Sequence, residues 1–325
     1  MSGLRGPSLA LVALHALVLL APFVAPYDPL LQNRLLPFAP PSRLRFVDAQ
    51  GRLQLRPFVY SQVERPDTPH VYEEDRSQAY PLRFFVQGRL FGVDEPARVF
   101  VLGSDALGRD QLSRLLYGGR ISLLAGLVAA ALALGLGFVL GTLAGFYGRA
   151  MDVLVMRGAE VFLALPWLYL LLAVRAFLPL HVPPERAFLL LVLVIGLVDW
   201  ARPARLVRGV VLSARERDFV LAARSFGAGD VYLMRRHIAP QAAGVLLTQA
   251  ALLVPQYVLA EVTLSFVGLG VAEPAPSWGN MLAALQQYHV MSSYWWMWLP
   301  AVFLVPLFLA YHSLADALHA RARLS

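Results

Sequence analysis

The stretch DFVLAARSFGAGD, Asp218 to Asp230, is short and mixed in polarity, and it lies between two long apolar runs, one ending near Trp200 and the other beginning at Gly244. Its own pattern is helical. Phe219, Ala222, Ala223 and Phe226 fall at i, i+3, i+4 and i+7, one face of a 3.6-residue period, while Arg217, Asp218 and Arg224 point elsewhere. Ser213 followed three residues later by Glu216 has the form of a capping box, which predicts a helix beginning at Ala214. Gly227, just past the last periodic residue, is a left-handed stop; Asp230 can cap a second helix, and Pro240 is expected to break that one. Two alanines bracketed by two Phe make a ridge that another surface can approach closely. The same ridge could instead fold back on its own chain or lie on lipid headgroups.

Working outward, the chain is that of a membrane protein. Of its 325 residues 58% are hydrophobic and 15% charged, and the mean hydropathy is +0.58, too apolar for an ordinary soluble domain. Apolar runs of the kind that cross a bilayer, which takes roughly 20 apolar residues, occupy Ser8–Pro26, Ile121–Tyr147, Val153–Leu178, Ala187–Trp200, Gly244–Phe266 and Tyr294–Leu314, the fourth being short unless it continues toward Val207. The fold class expected is all-α, with six transmembrane helices. Ser8–Pro26 with Arg5 ahead of it has the outline of a signal peptide. Its apolar run is longer than an h-region, however, and Ala25 before Pro26 is a poor cleavage site, so a retained first helix is expected. No cysteine is present, which excludes disulfides and thiolate metal sites.

All 28 basic residues are Arg and the net charge is +7, which raises nucleic acid as a partner. Distribution argues otherwise. With the N-terminus inside, the short cytoplasmic segments hold Arg5, Arg149, Arg157, the Arg-rich stretch from Arg202 to Arg236, Arg321 and Arg323, while the short outer loops near His181 and Pro274 hold Arg186 alone. That is the positive-inside pattern, with both termini cytoplasmic and no nucleic acid involved.

Between the first two spans lies a long polar, Pro- and Arg-rich segment that cannot sit in lipid, where its backbone groups would lack partners. Within it, FVDAQGRLQLRPFVY reads either as two strands around Ala49–Gly51 or as an irregular loop. From Ser104, SDALGRDQLSRLLYGGRISL reads as an amphipathic lead-in helix at the interface, with Gly118 and Gly119 as its bend into the second span. Gly135, Gly137, Gly141 and Gly145 in that span are expected to let a neighbouring helix pack closely.

Four charges fall in or at the ends of spans: Glu160, Arg175, Asp199 and Glu261. Each is costly in lipid, about 2.5–3.5 kcal/mol on insertion scales. Asp199 is expected to pair with Arg202 and Arg205 at the inner end. Glu261 either lines a hydrated translocation path or partners a polar neighbour. No Walker motif, HExxH, Gly-x-Ser-x-Gly or histidine cluster occurs, so no catalysis, metal site or cofactor is expected. Ser277 and His289 read as interface residues.

LAARSFG with HIAP downstream resembles the EAA loop of importer-type ABC permeases. Ala222, Ala223, Gly227 and Pro240 match at that loop's spacing; Leu221, His237 and Ala239 stand where the family has Glu, Ile and Leu. VLGSDALGRDQLSRLLYGGRISL, EVTLSFVGLGVAEPAPSWGNML and LADALHARARL narrow the resemblance, from Leu102 onward, to the second (C-type) permease subunit of the dipeptide and oligopeptide branch. That resemblance implies the type I ABC importer permease fold, with the polar segment as a long extracytoplasmic insertion. Residues 1–26 would be the cytoplasmic start and first helix, 27–117 the extracytoplasmic segment, 118–315 the five-helix core with its coupling loop at 208–240, and 316–325 a cytoplasmic tail. It implies docking of Phe219, Ala222, Ala223, Phe226, Gly227 and Pro240 on a cytoplasmic ATPase, a second permease as heterodimer partner, an extracytoplasmic solute-binding protein, and a peptide substrate carried across the bacterial or archaeal cytoplasmic membrane. Relatives of this subunit carry nickel, glutathione or opines. A secondary transporter, or a scaffold that does not transport, are the readings outside the family.

Overall fold

The computed structural model describes residues 2–177 and 184–324, and the protein is mostly helical. In chain order the elements are α1 (Ser2–Leu19), α2 (Ala21–Val24), β1 (Arg45–Val47), β2 (Leu53–Glu64), β3 (Tyr72–Pro81), β4 (Arg83–Val86), β5 (Arg89–Gly92), α3 (Gln111–Tyr147), α4 (Arg149–Ala164), α5 (Trp167–Phe177), α6 (Pro184–Val198), α7 (Ala201–Arg215), α8 (Asp218–Ser225), α9 (Asp230–Leu233), α10 (Ala239–Phe266), α11 (Trp278–Ala283), α12 (Tyr288–Ser293) and α13 (Leu299–Leu324). Among the described residues three helices are long and apolar enough to cross a membrane: Gln111–Tyr147, Asp230–Phe266 and Trp295–Arg321. The predicted outer loop around His181 and the side chain of Arg175 lie outside what is described.

Two sequence expectations about helix boundaries are corrected. The run Val153–Leu178 is not one helix: α4 stops at Ala164 because Leu165 precedes Pro166 and is pushed into an extended conformation, ψ 126°. The lead-in before the second span is not a separate interfacial helix either. Helix α3 begins at Gln111 and continues through Gly118 and Gly119 without a break.

The chain divides into two compact units. One comprises the described residues of Val12–Ser122 and Val262–Pro306. Of the two readings open for the segment around Ala49–Gly51, the strands are the one present: β1, β2 and β3 form an antiparallel sheet in that order, and β4 pairs with β5. The Asp48 carboxylate closes the first turn by accepting the Gln50 and Arg52 amides at 3.0 and 2.8 Å. Val59, Tyr80, Leu82, Ala97 and Val99 form the sheet's buried cluster.

In the same unit the start of α3 is fixed by buried charge. The Arg109 guanidinium donates to Asp105 at 2.7 Å and to Glu273 at 2.6 Å, and Arg114, 1% exposed, donates to Glu273 at 2.8 Å. Asp110 is the N-cap, accepting the Ser113 amide at 2.7 Å and its hydroxyl at 2.6 Å. Burial pushes the Asp110 carboxyl up to about 7 against the pull of those hydrogen bonds. Gly118 and Gly119 serve contact rather than bending: a Cβ on Gly119 would fall 2.8 Å from the Trp278 ring, whose indole N–H donates to the Leu115 carbonyl at 2.9 Å.

The other unit comprises the described residues of Met1–Leu11, Leu123–Glu261 and Leu307–Ser325. Its seam runs between α3 and α7. Gly137, Gly141 and Gly145, four residues apart on one helix face, meet Pro203, Ala204, Val207 and Val211; a Cβ on Gly141 would lie 2.5 Å from the Ala204 carbonyl oxygen. Gly135, off that face, has nothing within 4 Å. Arg208 of α7 grips Asp152 of α4 through both carboxylate oxygens, which holds the Asp152 carboxyl below the usual carboxylate range.

Candidate functional site: the α7–α10 elbow and the cavity beside α10

Helix α8 does not begin at Ala214. The buried face of α7, Pro203, Ala204, Val207, Val211 and Ala214, keeps that helix going through Arg215, so Ser213 sits in its last turns and cannot act as a cap. Arg217, at φ −75° and ψ 144°, is the extended residue from which α8 starts. Packing of an apolar stripe has overruled a local capping signal.

Four turns of chain then build a rigid elbow. Val220 of α8, 1% exposed, packs in one cluster with Phe146, Val207, Val211, Ala214, Leu233, Ile238 and Ala242, and Ala223 lies against the same cluster. Helix α8 ends in a Schellman turn: the Ala228 amide donates to the Ala223 carbonyl at 3.1 Å and the Gly227 amide to the Arg224 carbonyl at 3.0 Å. Gly227 sits at φ +85°, where a side chain would be strained. The Arg224 guanidinium lies 5.7 Å from the centre of the Phe146 ring.

The four-residue apolar stripe is thereby split. Phe219, Ala222 and Phe226 face outward, Phe226 at 93% exposure, whereas Ala223 turns inward beside Val220. Sequence reading missed Val220 because it stands one place outside the i, i+3, i+4, i+7 set, although it is three residues before Ala223. Phe219 and Tyr232 flank His237, with ring centres 5.9 and 5.6 Å away, which joins α8 to the following turn.

Pro240 does not break the second helix. Residues Met234–Ile238 form a π turn, with the Ala239 amide donating to the Met234 carbonyl five residues back, and α9, this turn and α10 run on as Asp230–Phe266. A widened turn placed just ahead of a residue lacking an amide hydrogen absorbs the mismatch.

Glu261 is 3% exposed on α10. It is twenty-one residues beyond Pro240 on the same helix, about 30 Å at 1.5 Å per residue, so it shares no site with the elbow. Asp199 makes a different bond from the one expected: its carboxylate accepts the Tyr257 hydroxyl at 2.7 Å instead of pairing with Arg202 or Arg205. Those two arginines, which the sequence reading treated as topology markers and as partners of Asp199, line an open cavity of about 900 Å3 beside α10, together with Gln249 and Gln256. Ser277 is no interface residue: it is fully buried, capping α11 in a reciprocal box with Asn280. His289 stands edge-on to Phe38 and Tyr294.

Comparison with known proteins gives the family. The model of the family described as binding-protein-dependent transport system inner membrane component matches residues 137–324. A putative peptide permease protein of Brucella ovis is 37% identical over 217 residues, 66% of this chain and 70% of that protein. The di/tripeptide transport system permease protein DppC of Pseudomonas aeruginosa is 38% identical over 67% of this chain and 70% of its own, and the oligopeptide transport system permease protein OppC of Bacillus subtilis 34% identical over 69% and 71%. The chain belongs to the family of binding-protein-dependent transport system inner membrane components. It is a multi-pass membrane subunit of an ABC transporter, a transport component and not an enzyme, and its family works with ATPase partners.

Proposed function

We propose that this chain is the C-type permease subunit of an ATP-driven importer of di- and oligopeptides, working as a heterodimer with a second permease and receiving cargo from an extracytoplasmic binding protein. The relatives carry peptide, dipeptide and oligopeptide in their names, and peptides are the solute assigned here. The observation that supports the coupling role is the outward ridge Phe219, Ala222 and Phe226 on a helix whose inner side is anchored by Val220. An exposed apolar ridge with a small residue at its centre, held rigidly, suits a groove on a soluble partner. The ridge takes the ATPase. Because Val220, Leu233 and Ile238 share one cluster with Val207 and Val211, a push on α8 is carried into α7 and the foot of α10 together.

In this reading six helices cross the membrane and both termini are cytoplasmic. Residues 1–26, 27–117, 118–315 and 316–325 act as first helix, extracytoplasmic segment, core and tail, and the loop 208–240 is the coupling device. The strand-bearing segment faces the binding protein. Pro240 acts by setting the turn before α10, and Gly227 by reversing the chain after α8.

The decisive experiment uses the whole transporter in proteoliposomes. Ala222→Glu puts a carboxylate on the ridge without touching the buried side, and ATP-driven peptide uptake is expected to fall about tenfold or more, as a docking loss of 1.4 kcal/mol per decade would give. The amount of this chain in the membrane should not change. A cysteine at position 222 should cross-link to an ATPase subunit. Wild-type uptake by Ala222→Glu, or a position 222 that reacts only with lipid, would sink the assignment.

A further inference from the structure

Arg202 and Arg205 stand three apart on α7, on the side opposite the buried Pro203, Ala204 and Val207. Among the described residues neither guanidinium forms an ion pair, and Asp199, the nearest acidic position in sequence, is bonded to Tyr257. Both arginines line the cavity of about 900 Å3 whose other walls include Gln249 and Gln256 of α10 and Phe308 and His312 of α13.

Two physical points decide what this cavity is for. The first is depth. Its α10 wall, Gln249 to Leu259, belongs to the long apolar helix Asp230–Phe266, so the cavity leads from the cytoplasmic flank that carries Arg202 and Arg205 toward the level of the hydrocarbon core. A guanidinium turned to lipid there costs about 2.5–3.5 kcal/mol, whereas one turned to a water-filled passage does not. The second is chemistry. Among the described residues the lining carries Arg202, Arg205, His312 and two neutral amides and no carboxylate, and Asp199, on the wall of the adjoining pocket that shares Arg202 and Gln256, is bonded to Tyr257. A planar guanidinium matches a carboxylate bidentately, and a glutamine amide can both give and accept a hydrogen bond, as a peptide unit requires. The volume lies within the roughly 300–1,000 Å3 of small-ligand sites.

We infer that Arg202 and Arg205 are the solute-contact residues of this subunit, meeting the free C-terminal carboxylate of a short peptide in passage while Gln249 and Gln256 satisfy its backbone. The inference rests on the peptide assignment and gives it a site. Glu261 does not line this cavity, so the carboxylate of the solute, rather than its ammonium group, is what this subunit reads.

The test compares uptake of trialanine and trialanine amide by the complete transporter in proteoliposomes, at concentrations that saturate the binding protein with either. Wild type should carry the free acid about tenfold faster or more, the effect of one charge-assisted hydrogen bond. Arg202→Gln with Arg205→Gln should bring the two rates within about twofold of each other by slowing the acid alone, and lysine at both positions should restore only part of the preference, because an ammonium keeps the charge without the bidentate fork. An unchanged acid-to-amide ratio in the glutamine variant overturns the inference while leaving peptide transport standing. If wild type carries neither compound, the peptide assignment fails and this site falls with it.

Discussion

Helix α3 is held by two different kinds of contact along its length. At its first turns, buried Arg114 and the preceding Asp105 and Arg109 meet the half-exposed Glu273 in a network of charges, while buried Asp110 caps the helix through Ser113. Farther along, Gly137, Gly141 and Gly145 carry no side chain at all, so that α7 can lie directly on the helix backbone. The first arrangement tolerates almost no change of charge, because each buried group depends on its partner. The second is indifferent to charge and intolerant of volume. A helix can thus be fixed in register by electrostatics at one end and by bare backbone contact at the other, and the two predict different responses to mutation.

The largest effect should come from breaking the network. Arg114→Ala takes one donor from the half-exposed Glu273, which keeps Arg109, removes the charge facing buried Asp105 and empties the space of a buried side chain; it should cost about 2–5 kcal/mol, whereas an apolar replacement of similar length, Arg114→Met, should cost less. Thermal melting of the purified transporter measures both; equal melting temperatures for wild type and Arg114→Ala would show that the network does not fix this end.

Next in size is the seam. Gly141→Val drives a side chain into the Ala204 carbonyl and should destabilise by about 1–3 kcal/mol, as overpacking does, while Gly135→Val, with open space around it, should be neutral apart from the general effects of replacing glycine. Similar losses from the two would dissolve the distinction between the seam face and the rest of α3.

The smallest effect sharpens the electrostatic side. The Asp110 carboxyl is raised to about 7 by burial, well above its value in an unfolded chain, so the folded state binds the extra proton. Stability should therefore be fullest below the unfolded value near 3.9, decline as pH rises toward about 7, and level off above that. Asp110→Asn keeps an oxygen to cap α3 but cannot ionise, and should flatten this slope, with a higher melting temperature than wild type at alkaline pH and little difference in acid. A wild-type slope retained in Asp110→Asn would assign the pH response to another group.

Much of the elbow was legible before any coordinates. The period of Phe219, Ala222, Ala223 and Phe226 marked α8, and Gly227 marked its end, because both signals are local: a helix face and a left-handed turn depend on neighbours within one or two turns of chain. The capping box at Ser213 failed for the same reason. It is a local signal, worth about 1 kcal/mol, set against the burial of a five-residue face of α7. Pro240 misled because proline breaks regular α-helix, and a π turn before it is a solution that sequence pattern does not announce.

The cavity beside α10 shows the other limit. Arg202 and Arg205 were plain in the sequence as positive charges, and their count fitted a cytoplasmic flank. That they share a wall with Gln249, Gln256 and His312 depends on side chains drawn from α7, α10 and α13, helices spread over more than a hundred residues of chain. In the same way Ser277 read as an interface residue until α11 placed it at a buried helix start.

By itself the sequence determined the membrane setting, the family, and the existence of a short apolar helix ended by glycine, because hydropathy, composition and turn chemistry are properties of contiguous residues. Only the tertiary structure decided which side of α8 is buried, where Asp199 finds its hydrogen bond, and which charges meet at Glu273 or face the cavity. Those outcomes depend on packing between distant segments, where a shift of one residue in helix register turns a side chain by 100°.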